Sequence, residues 1–315
     1  MKEIDKKIYK NSNIHNTLHD IWKNRMIYTL LLPGIIWYAI FAYGPMVGLT
    51  LAFKTYKASL GIWKSPWCGF ENYVYVFRDP AFIDSVWKTL KINLGRILFT
   101  FPAPIILALL LNEIRSPAYK KTVQTIVTFP NFLSWVVVSS IMISFLSING
   151  PINGVISKFL GKHINFLGNE RTFIPMLYIT EIWKSTGWFA IIYLSAISGI
   201  DQAQYEAAEI DGASRMQNIF YITLPNIMPT IIVMFILTMG NVMSAGFDQI
   251  FNISNAAVRD ISETLDMYIY RVTFQSAPDF SFSTAVSLFR AVLNMLMLLI
   301  ADRGAKLMGG DGLIG

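Results

Sequence analysis

Six apolar stretches, each long enough to cross a lipid bilayer as a helix, constrain the fold of this chain more than any other feature. Crossing the hydrocarbon layer takes about 20 residues, because every backbone polar group must find its partner inside the segment. The stretches cover residues 26–53, 86–111, 122–148, 173–198, 222–245 and 282–300. We therefore predict an all-α polytopic membrane protein with six transmembrane helices.

The composition supports a membrane protein and excludes several other classes. Charged residues make up 15% of the chain, against about 25% in soluble domains. Cys68 is the only cysteine, so neither a disulfide nor a cysteine-based metal site can form within the chain. His15 and His19 lack further ligands nearby, so no metal site is predicted. No arginine-rich or aromatic-interleaved pattern points to nucleic acid.

A basic leader sets the predicted orientation in the membrane. Six spans place both termini on one side, and lysine and arginine favour the cytoplasmic side. The basic residues before the first span are Lys2, Lys6, Lys7, Lys10, Lys23 and Arg25. We predict a cytoplasmic leader at 1–25, a transmembrane domain at 26–302 and a cytoplasmic tail at 303–315. The expected location is the cytoplasmic (inner) membrane of the cell, as a multi-pass protein.

Prolines and turn signals add detail to this topology. Pro102 and Pro104 lie near the middle of the second span, which predicts a kink there. Turn signals mark the loops predicted to lie outside the cell, at 54–85, 149–172 and 246–281. We expect these loops to be compact, with short helices lying over the membrane surface.

The segment between the fourth and fifth spans, residues 201–221, is polar and carries helix-end signals. Asp201 can cap a first helix, and Gly212 suits the end of that helix. Ser214 and Gln217 repeat a capping pattern for a second short helix. The 201–221 segment is therefore predicted to form helix, turn and helix on the cytoplasmic side.

A spaced motif runs through the 201–221 segment into the fifth span. Its fixed positions are Glu206, Ala207, Ala208, Gly212, Ile222, Leu224 and Pro225. This spacing resembles the coupling motif of bacterial ABC importer permeases, a family with the type I importer fold. In that family the segment docks as a short helix into a cleft on the cytoplasmic ATPase. The resemblance implies that these residues couple ATP hydrolysis to transport.

The small alanines and the Glu206 carboxylate suit close approach by a partner, and Pro225 is expected to start the fifth span rigidly.

Further runs resemble permeases for complex oligosaccharides, including those for alginate and pectin fragments. These runs are LLPG at 31–34, YGPM at 43–46, GIWKSPWCGF at 61–70, IWKSTGW at 182–188 and the tail at 302–315. The resemblance implies a second, homologous permease forming a heterodimer, two cytoplasmic ATPase subunits and an extracellular sugar-binding lipoprotein. It implies import of oligosaccharides and leaves open whether they carry uronates. The sequence has no Gly-x4-Gly-Lys-Ser/Thr loop, so ATP and Mg are expected on the ATPase subunits and no cofactor on this chain.

Substrate-path candidates follow from the chemistry of sugars. Aromatic faces stack on sugar rings, polar groups bind hydroxyls, and cations bind carboxylates. The candidates are Arg96, Asn131, Trp135, Glu181, Trp183, Lys184, Trp188, Asn241 and Arg290, with Ser134, Ser139 and Ser244 as further hydroxyls. Each has a structural alternative: tryptophans anchor spans at the interface, polar groups bond neighbouring helices, and Glu181 can pair with Lys184 one turn away.

Two other function classes fit the sequence less well than an ATP-driven importer. An ion-coupled secondary carrier is the main alternative, but Glu181 is the one acidic residue inside a predicted span, and no internal repeat is visible. A membrane-embedded enzyme needs a nucleophile with a base or a metal cluster, and neither pattern is visible in the sequence. The prediction is thus a non-catalytic permease subunit that works by alternating access.

Overall fold

The computed structural model describes residues 22–275, 278–307 and 312–313. Within this part of the chain the regular structure is helical, apart from one isolated bridge between Lys54 and Trp67. The predicted leader lies almost entirely outside the described residues, as do His15 and His19 and much of the predicted tail.

The helices of the N-terminal half alternate between long apolar rods and short connectors. The first rod is α1, which continues through a π turn (Ala39–Tyr43) and a 3-10 helix (Gly44–Phe53). The bounds are α1 Arg25–Tyr38, α2 Gly61–Lys64, α3 Glu71–Arg78, α4 Pro80–Phe99, α5 Pro102–Asn112, α6 Pro117–Thr128, α7 Trp135–Leu146 and α8 Pro151–Leu160.

The C-terminal half begins with the longest helix and ends with one of similar length. The bounds are α9 Glu170–Ser198, α10 Gln202–Ile210, α11 Arg215–Asn218, α12 Leu224–Met239, α13 Phe247–Ile253, α14 Arg259–Ser262, α15 Leu265–Tyr270 and α16 Phe280–Leu307. Further π turns lie at Ile219–Thr223 and Arg271–Gln275, and 3-10 turns at Phe129–Phe132 and Ala256–Val258.

Five helical stretches of the described chain are long and apolar enough to cross a membrane. They are Arg25–Phe53, Pro80–Asn112, Trp135–Phe159, Arg215–Met239 and Phe280–Leu307. The predicted fourth span lies in α9, which is 29 residues long and exceeds the length needed for a crossing. It is less apolar than the others because it carries Glu181 and Lys184, and it packs against α5, α6 and α12. The all-helical membrane fold is confirmed.

The predicted kink in the second span is present. Helix α4 ends at Phe99 and α5 begins at Pro102, because the proline ring cannot continue the hydrogen-bond ladder of the preceding turn. Pro104 is buried within the same first turn of α5.

The prediction of a continuous third span at 122–148 is wrong. Helix α6 ends at Thr128, a 3-10 turn follows, and the backbone at Leu133 and Ser134 is extended. Two local causes act together: Pro130 lies in the 3-10 turn, and the Ser134 hydroxyl accepts the amide of Val137 at 3.3 Å to start α7. The apolar stretch in this region instead runs over Trp135–Phe159.

The last two spans also differ from their predicted bounds. The fifth runs over Arg215–Met239 rather than 222–245, because turns follow at Gly240 to Ser244. The sixth continues past residue 300 to Leu307, so it includes residues 303–307, which were predicted to belong to the tail. The buried Asp302 carboxylate accepts the amide of Leu313 at 2.5 Å, so the last described residues fold back onto α16.

The predicted third outer loop does not simply lie over the surface. Helix α13 packs against α7 and near α15, and its residues Gln249, Ile250 and Ile253 are buried. A short helix can bury a glutamine only when its amide is fully hydrogen-bonded. Residues 240–264, which we call the closing segment, are therefore part of the packed core.

A glycine lets α9 approach α6 closely at the centre of the molecule. A Cβ added at Gly187 would overlap the backbone carbonyl of Val127. Small residues at helix crossings allow this backbone contact in membrane proteins, where packing drives association.

We expect Gly187→Ala to lower the melting temperature of the protein in detergent, because backbone atoms cannot rotate away from the new methyl group. Overpacking of this kind costs about 1–3 kcal/mol. Gly34→Ala is the matched control, since a Cβ at that helical glycine meets nothing within 4 Å. Equal melting temperatures for the two variants would contradict the close contact.

Candidate functional site

The predicted helix, turn and helix of the 201–221 segment is confirmed. The Asp201 carboxylate caps α10 by accepting the amide of Ala203 at 3.0 Å. Gly212 has φ +77, a left-handed conformation that favours glycine. Ser214 and Gln217 form a capping box at the start of α11. Local sequence rules therefore determine the shape of this segment.

Pro225 lies in the first turn of α12, as predicted, but the span that contains α12 begins before it. Helix α11 continues through the π turn at Ile219–Thr223 into α12, so one stretch runs over Arg215–Met239. Proline inside a helix clashes with the carbonyl four residues earlier, which here belongs to Tyr221 within the wide π turn. The second short helix and the fifth span are thus one rod.

Two side-chain contacts tie α10 to that rod. The Tyr205 hydroxyl and the Thr223 hydroxyl lie 2.8 Å apart, and Thr223 is buried. Asn226 donates its side-chain amide to the Gln204 side-chain oxygen at 3.0 Å. The sequence did not predict these two contacts, because they cross 18 and 22 positions of the chain.

The rest of the 201–221 segment presents an open surface. Glu206 and Ala207 are exposed, and Ala208 is half-buried. Ile210 is 87% exposed and Met216 is 59% exposed. Exposed apolar side chains beside an acidic group are typical of a protein interaction surface. Of the remaining motif positions, Ile222 and Leu224 are half-buried and Pro225 is exposed.

A second site is a cavity of about 390 Å³ between the helices. This volume falls within the range of about 300–1,000 Å³ that is usual for ligand pockets. Helices α4, α5, α9 and α12 and the start of the closing segment form its walls. Its polar lining consists of Asn93, Arg96, Thr100, Glu181, Ser185, Tyr193, Thr238, Asn241 and Ser244.

The structure brings some of the predicted substrate-path residues together and leaves others apart. Arg96, Glu181, Asn241 and the further candidate Ser244 line the cavity. The predicted residues outside its lining are Asn131, Trp135, Trp183, Lys184, Trp188 and Arg290. Sequence reasoning missed Asn93, whose position three residues before Arg96 on the same helix face was a usable signal.

Lys184 stabilises the break between α6 and α7. Its ammonium group donates to the carbonyl of Asn131 at 2.9 Å and lies 5.4 Å from the centre of the Trp135 ring. The lysine thus satisfies a carbonyl that the broken helix leaves without a helical partner. No ion pair joins Lys184 to Glu181 within the described part of the chain.

The remaining predicted residues have contacts of other kinds. Arg290 forms an ion pair with Asp266, which joins α16 to α15. The Trp188 ring meets Phe132 edge to face at 5.8 Å, and Trp183 is largely exposed. An exposed tryptophan on an apolar helix surface suits a lipid interface.

Hydrogen bonds hold the closing segment over one end of the cavity. Asn93 donates to the carbonyls of Val242 at 2.6 Å and Ser244 at 3.3 Å. The amide of Met243 donates to the side-chain oxygen of Asn294 at 2.9 Å. The closing segment is thereby attached to the second and sixth spans.

Known proteins similar to this chain fall in one class. A family model described as "Binding-protein-dependent transport system inner membrane component" matches residues 100–308. Protein LplB of Bacillus subtilis (strain 168) is 41% identical over 92% of each chain. The polygalacturonan/rhamnogalacturonan transport system permease protein YteP of the same organism is 38% identical over 98% of this chain and 97% of that relative.

A solved structure agrees with these relatives. The bacterial alginate ABC transporter, in complex with an alginate pentasaccharide-bound periplasmic protein, contains a chain that is 37% identical. The match has a TM-score of 0.85 and covers 94% of this chain and 99% of that one. The inward-facing MetNI methionine transporter matches with a TM-score of 0.53 at 17% identity, which supports the fold alone.

Proposed function

The chain belongs to the binding-protein-dependent transport system inner membrane components, and we propose how its two sites serve sugar import. It is an integral membrane permease subunit of an ABC importer for oligosaccharides. Relatives that transport polygalacturonan and rhamnogalacturonan, and the structural match to an importer of alginate, support an acidic oligosaccharide as the cargo.

The cavity is the proposed path for the sugar. Its mixed lining suits a carbohydrate, because Phe101, Phe189 and Tyr193 supply apolar faces while amides and hydroxyls bind sugar hydroxyls. Arg96 supplies a cation for a carboxylate, and Glu181 supplies an acceptor for hydroxyl groups. The observation that carries the proposal is this cavity inside a helical membrane protein, with Arg96 and Glu181 in a mixed lining.

The 201–221 segment is the proposed contact with an ATPase. The exposed Glu206, Ala207, Ile210 and Met216 form a low, partly apolar surface with one acidic group. An ATPase on another chain fits the sequence, which has no phosphate-binding loop of its own. ATP and Mg would then be bound by two cytoplasmic ATPase subunits, and this chain would carry out no covalent chemistry.

A continuous rod connects the two sites. Helix α10 is tied to Thr223, the rod runs from Arg215 to Met239, and the end of α12 lines the cavity at Met234 and Thr238. Movement of the ATPase surface would therefore be transmitted along the fifth span to the sugar. A second permease, an extracellular sugar-binding lipoprotein and cytoplasmic termini complete the proposed assembly, placed in the cytoplasmic membrane.

Reconstitution tests this function. The chain would be co-purified with its sister permease, ATPase subunits and receptor, and uptake of galacturonate oligosaccharides into proteoliposomes would be measured. We expect uptake to require ATP on the side of the membrane where the ATPase subunits lie. The receptor must be present on the opposite side. Uptake driven by an ion gradient without the ATPase subunits would contradict the proposal and favour an ion-coupled carrier.

We expect Tyr205→Phe to uncouple the two sites partly, because it removes the hydroxyl contact with Thr223 and keeps the exposed surface unchanged. Loss of one such hydrogen bond is worth about 1 kcal/mol, or roughly a fivefold change. The measurement is sugar transported per ATP hydrolysed in proteoliposomes. Tyr221→Phe is the control, since that side chain is 79% exposed; equal ratios for both variants would argue against the tether.

A further inference from the structure

Arg96 lies between the cavity and the closing segment. Its Nη2 donates to the side-chain oxygen of Gln249 at 2.6 Å, and the same residue lines the cavity. Its buried Nε has no hydrogen-bond partner in the described part of the chain. A buried guanidinium N–H without a partner is costly unless a ligand or a bound water supplies the acceptor.

Gln249 has contacts that make it a junction between helices. It is fully buried, and its amide nitrogen donates to the Leu177 carbonyl at 2.9 Å and to the Thr180 hydroxyl at 2.7 Å. The nearby Gly246 has φ +68, and a Cβ there would meet Arg96 Nη1 at 2.6 Å. Nη1 of Arg96 therefore lies beside Gly246, while Nη2 is bonded to Gln249.

The free donors define what a ligand must offer. A carboxylate binds an arginine best through two parallel hydrogen bonds, and the edge formed by Nε and Nη2 is such a pair. Nε is buried and has no acceptor among the described residues, whereas Nη2 is bonded to Gln249. A carboxylate bound along this edge would replace the neutral oxygen of Gln249 with a charged one.

We propose that Arg96 selects a carboxylate-bearing sugar, and that the carboxylate displaces Gln249 and so loosens the closing segment from the second span. The inference rests on the proposed function, since the sugar must enter this cavity. Glu181 is the acidic group of the same cavity, and no ion pair joins it to Arg96 in the described residues. Glu181 then accepts hydrogen bonds from sugar hydroxyls, and its negative charge repels a carboxylate from the part of the cavity beside it.

Two variants test the proposal in opposite directions. The measurement is binding of digalacturonate and of the neutral digalactoside to the complex of both permeases and the ATPase subunits, without receptor and without ATP. Arg96→Gln should weaken digalacturonate binding by about 10- to 100-fold, the effect expected for a hydrogen-bonded charge, and change digalactoside binding little. Gln249→Met should tighten digalacturonate binding about tenfold, because it keeps the side-chain length and removes the competing acceptor.

A gain of affinity is a result that a damaged fold would not produce. Weakening of both probes alike by Arg96→Gln, or unchanged digalacturonate binding in Gln249→Met, would overturn the proposal. These outcomes are separate from failure of the proposed function, because that failure appears as wild-type transporter without ATP-dependent uptake, a measurement made on other samples.

Discussion

Glu206→Lys is expected to abolish sugar-stimulated ATPase activity while the protein remains in the membrane. The side chain is exposed on α10, so the substitution leaves the fold intact and reverses a charge on the proposed ATPase contact. Placing like charges in an interface costs several kcal/mol, which corresponds to a loss of at least about 100-fold. The measurement is ATPase activity of the reconstituted importer with and without sugar-loaded receptor.

The control for this variant carries the same change in charge at another place. Glu113 is exposed and follows α5, on the same predicted side of the membrane as the 201–221 segment. Glu113→Lys should retain near wild-type stimulation. If both variants lost activity equally, a general effect of net charge would explain the result and the docking role of Glu206 would be contradicted.

The sequence predicted the 201–221 segment well because its shape depends on neighbours. Asp201, Gly212, Ser214 and Gln217 each act within a few residues along the chain. Capping and left-handed glycine positions are local rules. The π turn before Pro225 was missed since it depends on how an uninterrupted helix accommodates a proline ring.

The cavity was harder to predict because its residues meet across the whole chain. Arg96 and Gln249 are 153 positions apart, and Lys184 and Asn131 are 53 apart. Hydropathy predicts which segments are helical and apolar, but it does not predict which helices pack against each other. Two cations inside predicted spans therefore have different roles: Arg96 lines the cavity, while Lys184 binds a carbonyl at a helix break.

The same limit explains the missed interruption of the third span. Its apolar composition continues across Pro130 and Ser134, so a hydropathy reading joins α6 to α7. Broken helices occur in membrane proteins where other groups satisfy the freed carbonyls. Lys184 from α9 provides such a group, and a single sequence does not reveal a contact of this kind.

Removing one partner of the ion pair between Asp266 and Arg290 is expected to destabilise the protein more than removing both. The two side chains are 11% and 31% exposed, so each charge depends on the other rather than on water. Breaking a fully buried pair costs about 3–5 kcal/mol and breaking a surface pair about 1 kcal/mol or less, so the cost for this partly buried pair falls between these values. An apolar replacement of both partners is close to neutral. We expect Asp266→Leu and Arg290→Met each to lower the melting temperature in detergent.

The double variant Asp266→Leu with Arg290→Met should recover most of the loss, since it leaves no uncompensated charge between α15 and α16. Lys88→Met provides the control, because the Asp84 partner of Lys88 is 58% exposed and such pairs contribute about 1 kcal/mol or less. Additive losses in the double variant would show that each side chain acts independently. Recovery would show that Arg290 serves the attachment of α15 to the sixth span, which leaves Arg96 as the arginine that lines the cavity.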